Sequence, residues 1–190
     1  DRVEMGIVNY LLKHDSTSQI ELEINLAEQF SGLLTPPGEL VKECLDSYAD
    51  STQSTPPRWQ MRPSDQPGVR RNDLRAVQVG LVRLGKRFGF RTDGEFPVTW
   101  QAANGDPILF LYPIVSGVIS RALLAPAGAP EQCILVFPGS RARLITYKIR
   151  RDPRLAESIE QGWRFLKFRL LRDLLSRADL NEALFHELLA

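Results

Sequence analysis

Residues 133–137, CILVF, form an unbroken apolar run closed by Pro138. A half-exposed strand alternates apolar and polar side chains. A run without alternation needs cover on both faces, as in the central strand of a layered α/β sheet. This segment therefore demands strands beside it and helices above and below it. Candidate neighbours are FPVTWQA (96–102) and PILFLYPIV (107–115), separated by Asn104-Gly105, residues that accept the left-handed backbone of a tight hairpin. Further short strands are expected near 89–92 and over WRFLKF, 163–168.

Helical periodicity fills the intervals. One amphipathic helix is predicted from about 73 to 88, with Leu74, Val77, Leu81 and Leu84 on one face. Others are predicted over 116–124, from 139 to 151, from 153 to Gly162, over 169–177 and in the NEALFHELL tail, with Asp152-Pro153 stopping one helix and capping the next. The order helix–β–β–β–helix–β–helix–β–helix predicts an α/β unit with a mixed sheet. Ahead of it, 3–14, about 18–30 (Ser18 and Glu21 at capping-box spacing) and 35–50 (capped by Thr35) read as three helices. A polar loop, 51–57, leads to RWQMR (58–62), which alternates as a strand. Three helices and a small wing are the layout of a winged-helix domain. The expected organisation is α+β overall: a winged-helix-like domain at 1–62, a Pro/Gly-punctuated linker at 63–73 and an α/β domain at 74–190.

Charge divides along the same line. Residues 1–62 hold five Lys/Arg against ten Asp/Glu, so the rest of a chain of net charge +1 is strongly positive. Across 139–177 eleven basic residues face four acidic ones, a surplus suited to a phosphate backbone. The expected nucleic-acid contacts are Arg141, Arg143, Lys148, Arg150, Arg151 and Arg154, with the Gly139, Ser140 and Arg141 amides offered at a helix start. The helix at 36–50 is acidic (Glu39, Glu43, Asp46, Asp50), which argues against a groove-reading role and for a protein contact or internal packing; in the first domain only Arg58, Trp59 and Arg62 of the wing are placed to reach a phosphate. No apolar stretch is long enough for a membrane span. Cys44 and Cys133, among apolar neighbours, read as reduced core residues of a cytoplasmic protein. The chain begins at Asp1 and is expected to be a piece of a longer protein.

Catalytic patterns are sparse. The element order resembles the restriction-endonuclease-like PD-(D/E)xK fold, which implies an Asp on the second strand of the sheet and an acid-x-Lys on the third, holding magnesium. Here the second offers Thr99 and the third, Ile108–Pro113, has neither acid nor lysine; Glu95 and Asp106 at strand ends are the only stand-ins for a divergent nuclease. Ser140 lacks a nucleophile-elbow pattern, and His14 and His186 lie at opposite ends of the chain. No catalytic residue, metal site or cofactor is therefore expected. The phrases LLTPPGELVKECLDSYAD, WQMRPSDQPGVRRNDL, LVRLGKRFGF and VFPGSRARLITYKIRRDPRLAESIEQGWRFLKFRLLRDL resemble the C-terminal region of large bacterial DNA methyltransferase-like proteins associated with restriction and phage defence. The SAM loop and the Asp/Asn-Pro-Pro-Tyr/Phe motif of that family are absent. The resemblance implies a non-catalytic, DNA-binding or target-handling module whose partners are DNA and other domains or subunits of a larger modification protein. A divergent magnesium nuclease and a docking scaffold working through the acidic first domain are the alternatives.

Overall fold

The computed structural model describes residues 1–32 and 35–189; Leu33, Leu34 and Ala190 lie outside the described residues. Helices α1 (Arg2–Lys13), α2 (Gln19–Gln29) and α3 (Gly38–Tyr48) precede a two-stranded antiparallel sheet of β1 (Ala49–Ser51) and β2 (Trp59–Met61). The Ser18 hydroxyl accepts the Glu21 N–H while Glu21 accepts the Ser18 N–H, the expected capping box. Two expectations change. Thr35 does not cap α3, whose N-cap is Pro37, and α3 ends at Tyr48 because Ala49 turns extended to pair with Met61.

The expected linker is structured. Pro63–Asp65 form a 3-10 turn, and α4 runs Pro67–Arg87, six residues earlier than its apolar face implied. Pro67 at the first helical position explains the early start, since its fixed φ suits a helix and its missing N–H is not needed there. The main sheet follows, with β3 (Arg91–Asp93), β4 (Val98–Gln101), β5 (Pro107–Pro113), β6 (Cys133–Phe137) and β7 (Arg164–Lys167) in that spatial order. β3–β4–β5 are antiparallel and β5–β6–β7 parallel, so the sheet is mixed. The hairpin at Asn104-Gly105 turns as expected, with Gly105 at φ 92°.

Between β5 and β6 lies α5, limited to Ser120–Leu124; between β6 and β7 lie a 3-10 turn at Gly139–Arg141, α6 (Ala142–Arg151) and α7 (Pro153–Glu160). Helices α8 (Phe168–Ser176) and α9 (Glu182–Glu187) end the chain. Strand β6 is buried along its whole length. Ile134 and Val136 join Val77, Leu81 and Leu84 of α4 and Leu171 and Leu174 of α8. Leu135 and Phe137 face the other way, with Ile119 and Leu123, Ile145 of α6 and Leu155 of α7. The demand that CILVF makes of its surroundings is met by helices on both faces.

Helix α6 is shared between two cores. Ile145 packs against the sheet, while Leu144, one residue earlier, is fully buried among Ile7, Leu11, Val41, Cys44 and Leu45 of the helical unit. Burying a leucine contributes about 1.5–3 kcal/mol, so α6 joins the two parts by packing as well as by charge.

Candidate nucleic-acid interface

The basic stretch after β6 is where sequence reasoning put phosphate contacts, and the structure gives most of it another occupation. Arg141 has no exposed side-chain surface. Its guanidinium pairs with the equally buried Asp65 carboxylate, donates from Nη1 to the Ser47 carbonyl and from Nε to the Val115 carbonyl (3.1 Å), and stacks 3.5 Å over the Tyr48 ring. Arg70 of α4 (2.9 Å) and Arg62 (3.4 Å) add further donors to Asp65. A guanidinium sealed this way cannot meet a phosphate, because taking two charges out of water is tolerated only when the pair and its remaining donors and acceptors are matched.

Lys148 is similarly withdrawn, with 11% of its side chain exposed. Its ammonium reaches Glu4, Asp1 (3.1 Å) and the Gly117 carbonyl (2.7 Å). The buried Glu4 carboxylate also accepts from the Tyr48 hydroxyl and from the Gly117 N–H (2.6 Å). Burial and the Glu4 charge drive the Tyr48 hydroxyl pKa upward and push the Cys44 thiol up to about 12, so both stay protonated at neutral pH. Both cysteines are buried free thiols.

The remaining candidates lie outside. Arg143 holds Glu43 (2.8 Å), Arg151 holds Glu39 (2.6 Å) and Arg154 holds its own helix cap, Asp152 (2.8 Å). The three arginines are exposed, so water and salt weaken these pairs, most of all Arg151–Glu39, where both partners are exposed. Arg150 is exposed and has no carboxylate partner among the described residues. Ser140 accepts the Ser47 hydroxyl at its carbonyl (2.9 Å), and its own hydroxyl faces Arg70 and Arg141; Gly139 is exposed. The wing residues are spent too: Arg58 pairs with Glu21 (3.1 Å), and Arg62 pairs with Asp50 (3.0 Å) and Asp65. The acidic face of α3 has the internal packing role that its repulsion from phosphate suggested.

Charge left uncompensated gathers on the opposite side of the sheet. Helix α4 carries six basic residues and one acid, Asp73. Arg70 pairs with Asp65 and Asp73, and Arg87 donates to the carbonyls of Arg177, Ala178 and Leu180. Arg71, Arg75, Arg83 and Lys86 are exposed and have no carboxylate within ion-pair distance among the described residues. At 3.6 residues per turn they fall in an arc of about 120° around the exposed Val79 and span about 22 Å of helix. On the same side of the sheet, Arg169 and Arg172 at the start of α8 are also exposed and unpaired among the described residues. Sequence reasoning missed the α4 stripe by treating that helix only as a core element, although the spacing of its cations was legible.

The nuclease stand-ins do not converge. Glu95 sits in the turn before β4 and Asp106 in the hairpin beyond its other end, where Asp106 bonds Asn104. Among the described residues no group of three or more His, Cys, Asp or Glu side chains is arranged to hold a metal ion. His14 bonds the Tyr10 carbonyl (2.8 Å) and stacks on its ring, and His186 faces Arg164 (2.8 Å). Among the described residues no helix is long and apolar enough to cross a membrane. No protein-family model, curated protein or solved structure matches this chain, so its function is argued from this geometry.

Proposed function

We propose that this chain is a non-catalytic nucleic-acid-binding module of a larger DNA modification or restriction protein, and that its footprint is the outer face of α4 extended by the start of α8. On this reading the helix–hairpin unit is a winged helix turned to internal docking. The sheet unit is an endonuclease-like fold whose third strand in the meander, Ile108–Pro113, lacks the acid-x-Lys of a magnesium nuclease. The observation that carries the proposal is the row of Arg71, Arg75, Arg83 and Lys86 with no internal counter-charge. A cationic row of this kind neutralises phosphates and releases condensed counterions, giving affinity without sequence preference.

The test is duplex-DNA affinity measured against salt. Replacing the four residues by Gln is expected to flatten the slope of log K against log[salt] by about 0.9 for each phosphate the variant no longer neutralises, up to about 3–4 in all. The set Arg143→Gln, Arg150→Gln and Arg151→Gln is expected to change it by less than about 1. Absence of binding at low salt, or an unchanged slope in the α4 variant, rejects the proposal. One observation favours the scaffold alternative: Ile20 and Ile24, one turn apart on α2, are exposed at 67% and 57%. A pure scaffold shows no salt-dependent DNA binding, so the same titration separates the two.

A further inference from the structure

At the carboxyl end of β5, on the α5 side of the sheet, lies an open groove of about 420 Å³ that the proposed DNA footprint does not use. Register places Val98 opposite Leu111, which brings Phe96 and Pro97, just before β4, beside Tyr112. Pro97, Ile114 and Val118 make an apolar wall, Phe96 and Tyr112 an aromatic one, and Arg121 of α5 supplies a cation. Phe96 is 53% exposed and meets Tyr112 edge to face, with ring centroids 5.7 Å apart. The Tyr112 hydroxyl is anchored by accepting the Ala127 N–H at 2.7 Å, which ties the 125–129 loop to the groove. Arg121 is exposed, with no hydrogen-bond or carboxylate partner among the described residues, and no acidic side chain lines the groove. In the α3–α6 groove, by contrast, Glu39 and Glu43 share the walls with Arg143 and Arg150, so an anion there must compete with built-in carboxylates.

We propose that the β5–α5 groove binds a small molecule that joins a planar aromatic ring to an anionic group. The ring covers Phe96 and the apolar wall, and the anion meets Arg121. The volume lies within the range of small-molecule sites, and the make-up fits: a mostly apolar lining with one charged group to fix orientation. An exposed aromatic face gains from a stacked ring, and guanidinium donors in a fork match phosphate or carboxylate oxygens. The site is independent of DNA binding and stands or falls separately from it.

The experiment titrates the intact, isotopically labelled chain with adenosine 5′-monophosphate, phenyl phosphate, adenosine and inorganic phosphate, followed by NMR. The aromatic anions are expected to bind at least tenfold more tightly than adenosine or phosphate alone, with shifts confined to 96–101, 112–122 and 125–127. Arg121→Gln is expected to reduce the monophosphate to the affinity of adenosine, and Phe96→Ala to weaken both ring-bearing anions at least fivefold. Both residues are exposed, so unchanged thermal midpoints verify that the variants are folded. Equal affinity for phenyl phosphate and the nucleotide assigns the site to aryl anions in general; preference for the nucleotide assigns it to a base with its phosphate. The proposal is overturned if no aromatic anion binds more tightly than about 10 mM, if the shifts map elsewhere, or if Arg121→Gln binds like the parent chain.

Discussion

Asp65→Asn is the sharpest test of how the acidic and basic parts are joined. The Asp65 carboxylate has no exposed surface and receives Arg141, itself fully buried, together with Arg70 and Arg62. Neutralising it removes the counter-charge and leaves Arg141 charged in the interior among neutral groups only: the new amide oxygen, the Ser47 and Val115 carbonyls, the Ser47 and Ser140 hydroxyls and the Tyr48 ring. Stranding one member of a buried pair costs about 3–5 kcal/mol, against a total stability of about 5–15 kcal/mol for a domain. With a urea slope of about 2–3 kcal/mol per molar, the midpoint should fall by about 1–2.5 M. Arg141→Met should cost less, because Asp65 keeps Arg70 and Arg62 and the apolar side chain fills the space. In Asp65→Asn/Arg141→Met the two losses should fall short of additive by about 0.5–3 kcal/mol, since each removes the same interaction. Far-UV circular dichroism and tryptophan fluorescence are both suitable assays, because Trp59 lies in the helical unit and Trp100 and Trp163 in the sheet unit. With α6 shared between the cores, the two signals should move together in the parent chain. An Asp65→Asn midpoint within about 1 kcal/mol of the parent, or a larger loss from Arg141→Met, would refute the claim that this pair locks the units.

Two further predictions concern single sites. Glu21 accepts the Ser18 N–H and pairs with Arg58, which hold its pKa down at about 2. A carboxylate depressed in the folded state contributes stability that is present above its unfolded pKa and lost as pH falls toward the folded value. Acid titration should therefore show a loss between the usual carboxylate range and about 2 that is smaller in Glu21→Gln. At Gly85 an added Cβ would lie 2.6 Å from the Trp100 Nε1 and 2.7 Å from the Thr92 Cγ2, and Trp100 is fixed by its bond to the Leu81 carbonyl (3.1 Å). Gly85→Ala should thus lower the thermal midpoint, an overpacking cost of about 1–3 kcal/mol exceeding the gain of about 1 kcal/mol in helix propensity.

What the sequence disclosed and what it hid divide by distance along the chain. The buried strand at 133–137, the hairpin at Asn104-Gly105 and the caps at Ser18 and Asp152 depend on neighbours within a few residues, so periodicity and turn chemistry read them. The destination of the basic run depends on partners far away: Arg141 meets Asp65 across 76 positions, Arg143 meets Glu43 across 100, Arg151 meets Glu39 across 112 and Lys148 meets Glu4 across 144. A local charge surplus reports that an anion is needed, not that the anion is foreign. A usable signal did exist. Glu39, Glu43 and Asp46 stand at helical spacing on α3, and Arg143 and Arg151 two turns apart on α6. Their pairing runs antiparallel, Glu39 with Arg151 and Glu43 and Asp46 with Arg143. Two helices bearing complementary stripes of matching length are candidates for each other before they are candidates for DNA. The same comparison applied to α4 gives the opposite answer: Arg71, Arg75, Arg83 and Lys86 form a stripe with no carboxylate within ion-pair distance among the described residues, while the acidic face of α3 is engaged by α6 and Glu21 by Arg58. A row of unanswered cations on a rigid helix of 21 residues repels itself unless salt or a polyanion lies against it, and that cost is the physical reason to look for the outside partner there.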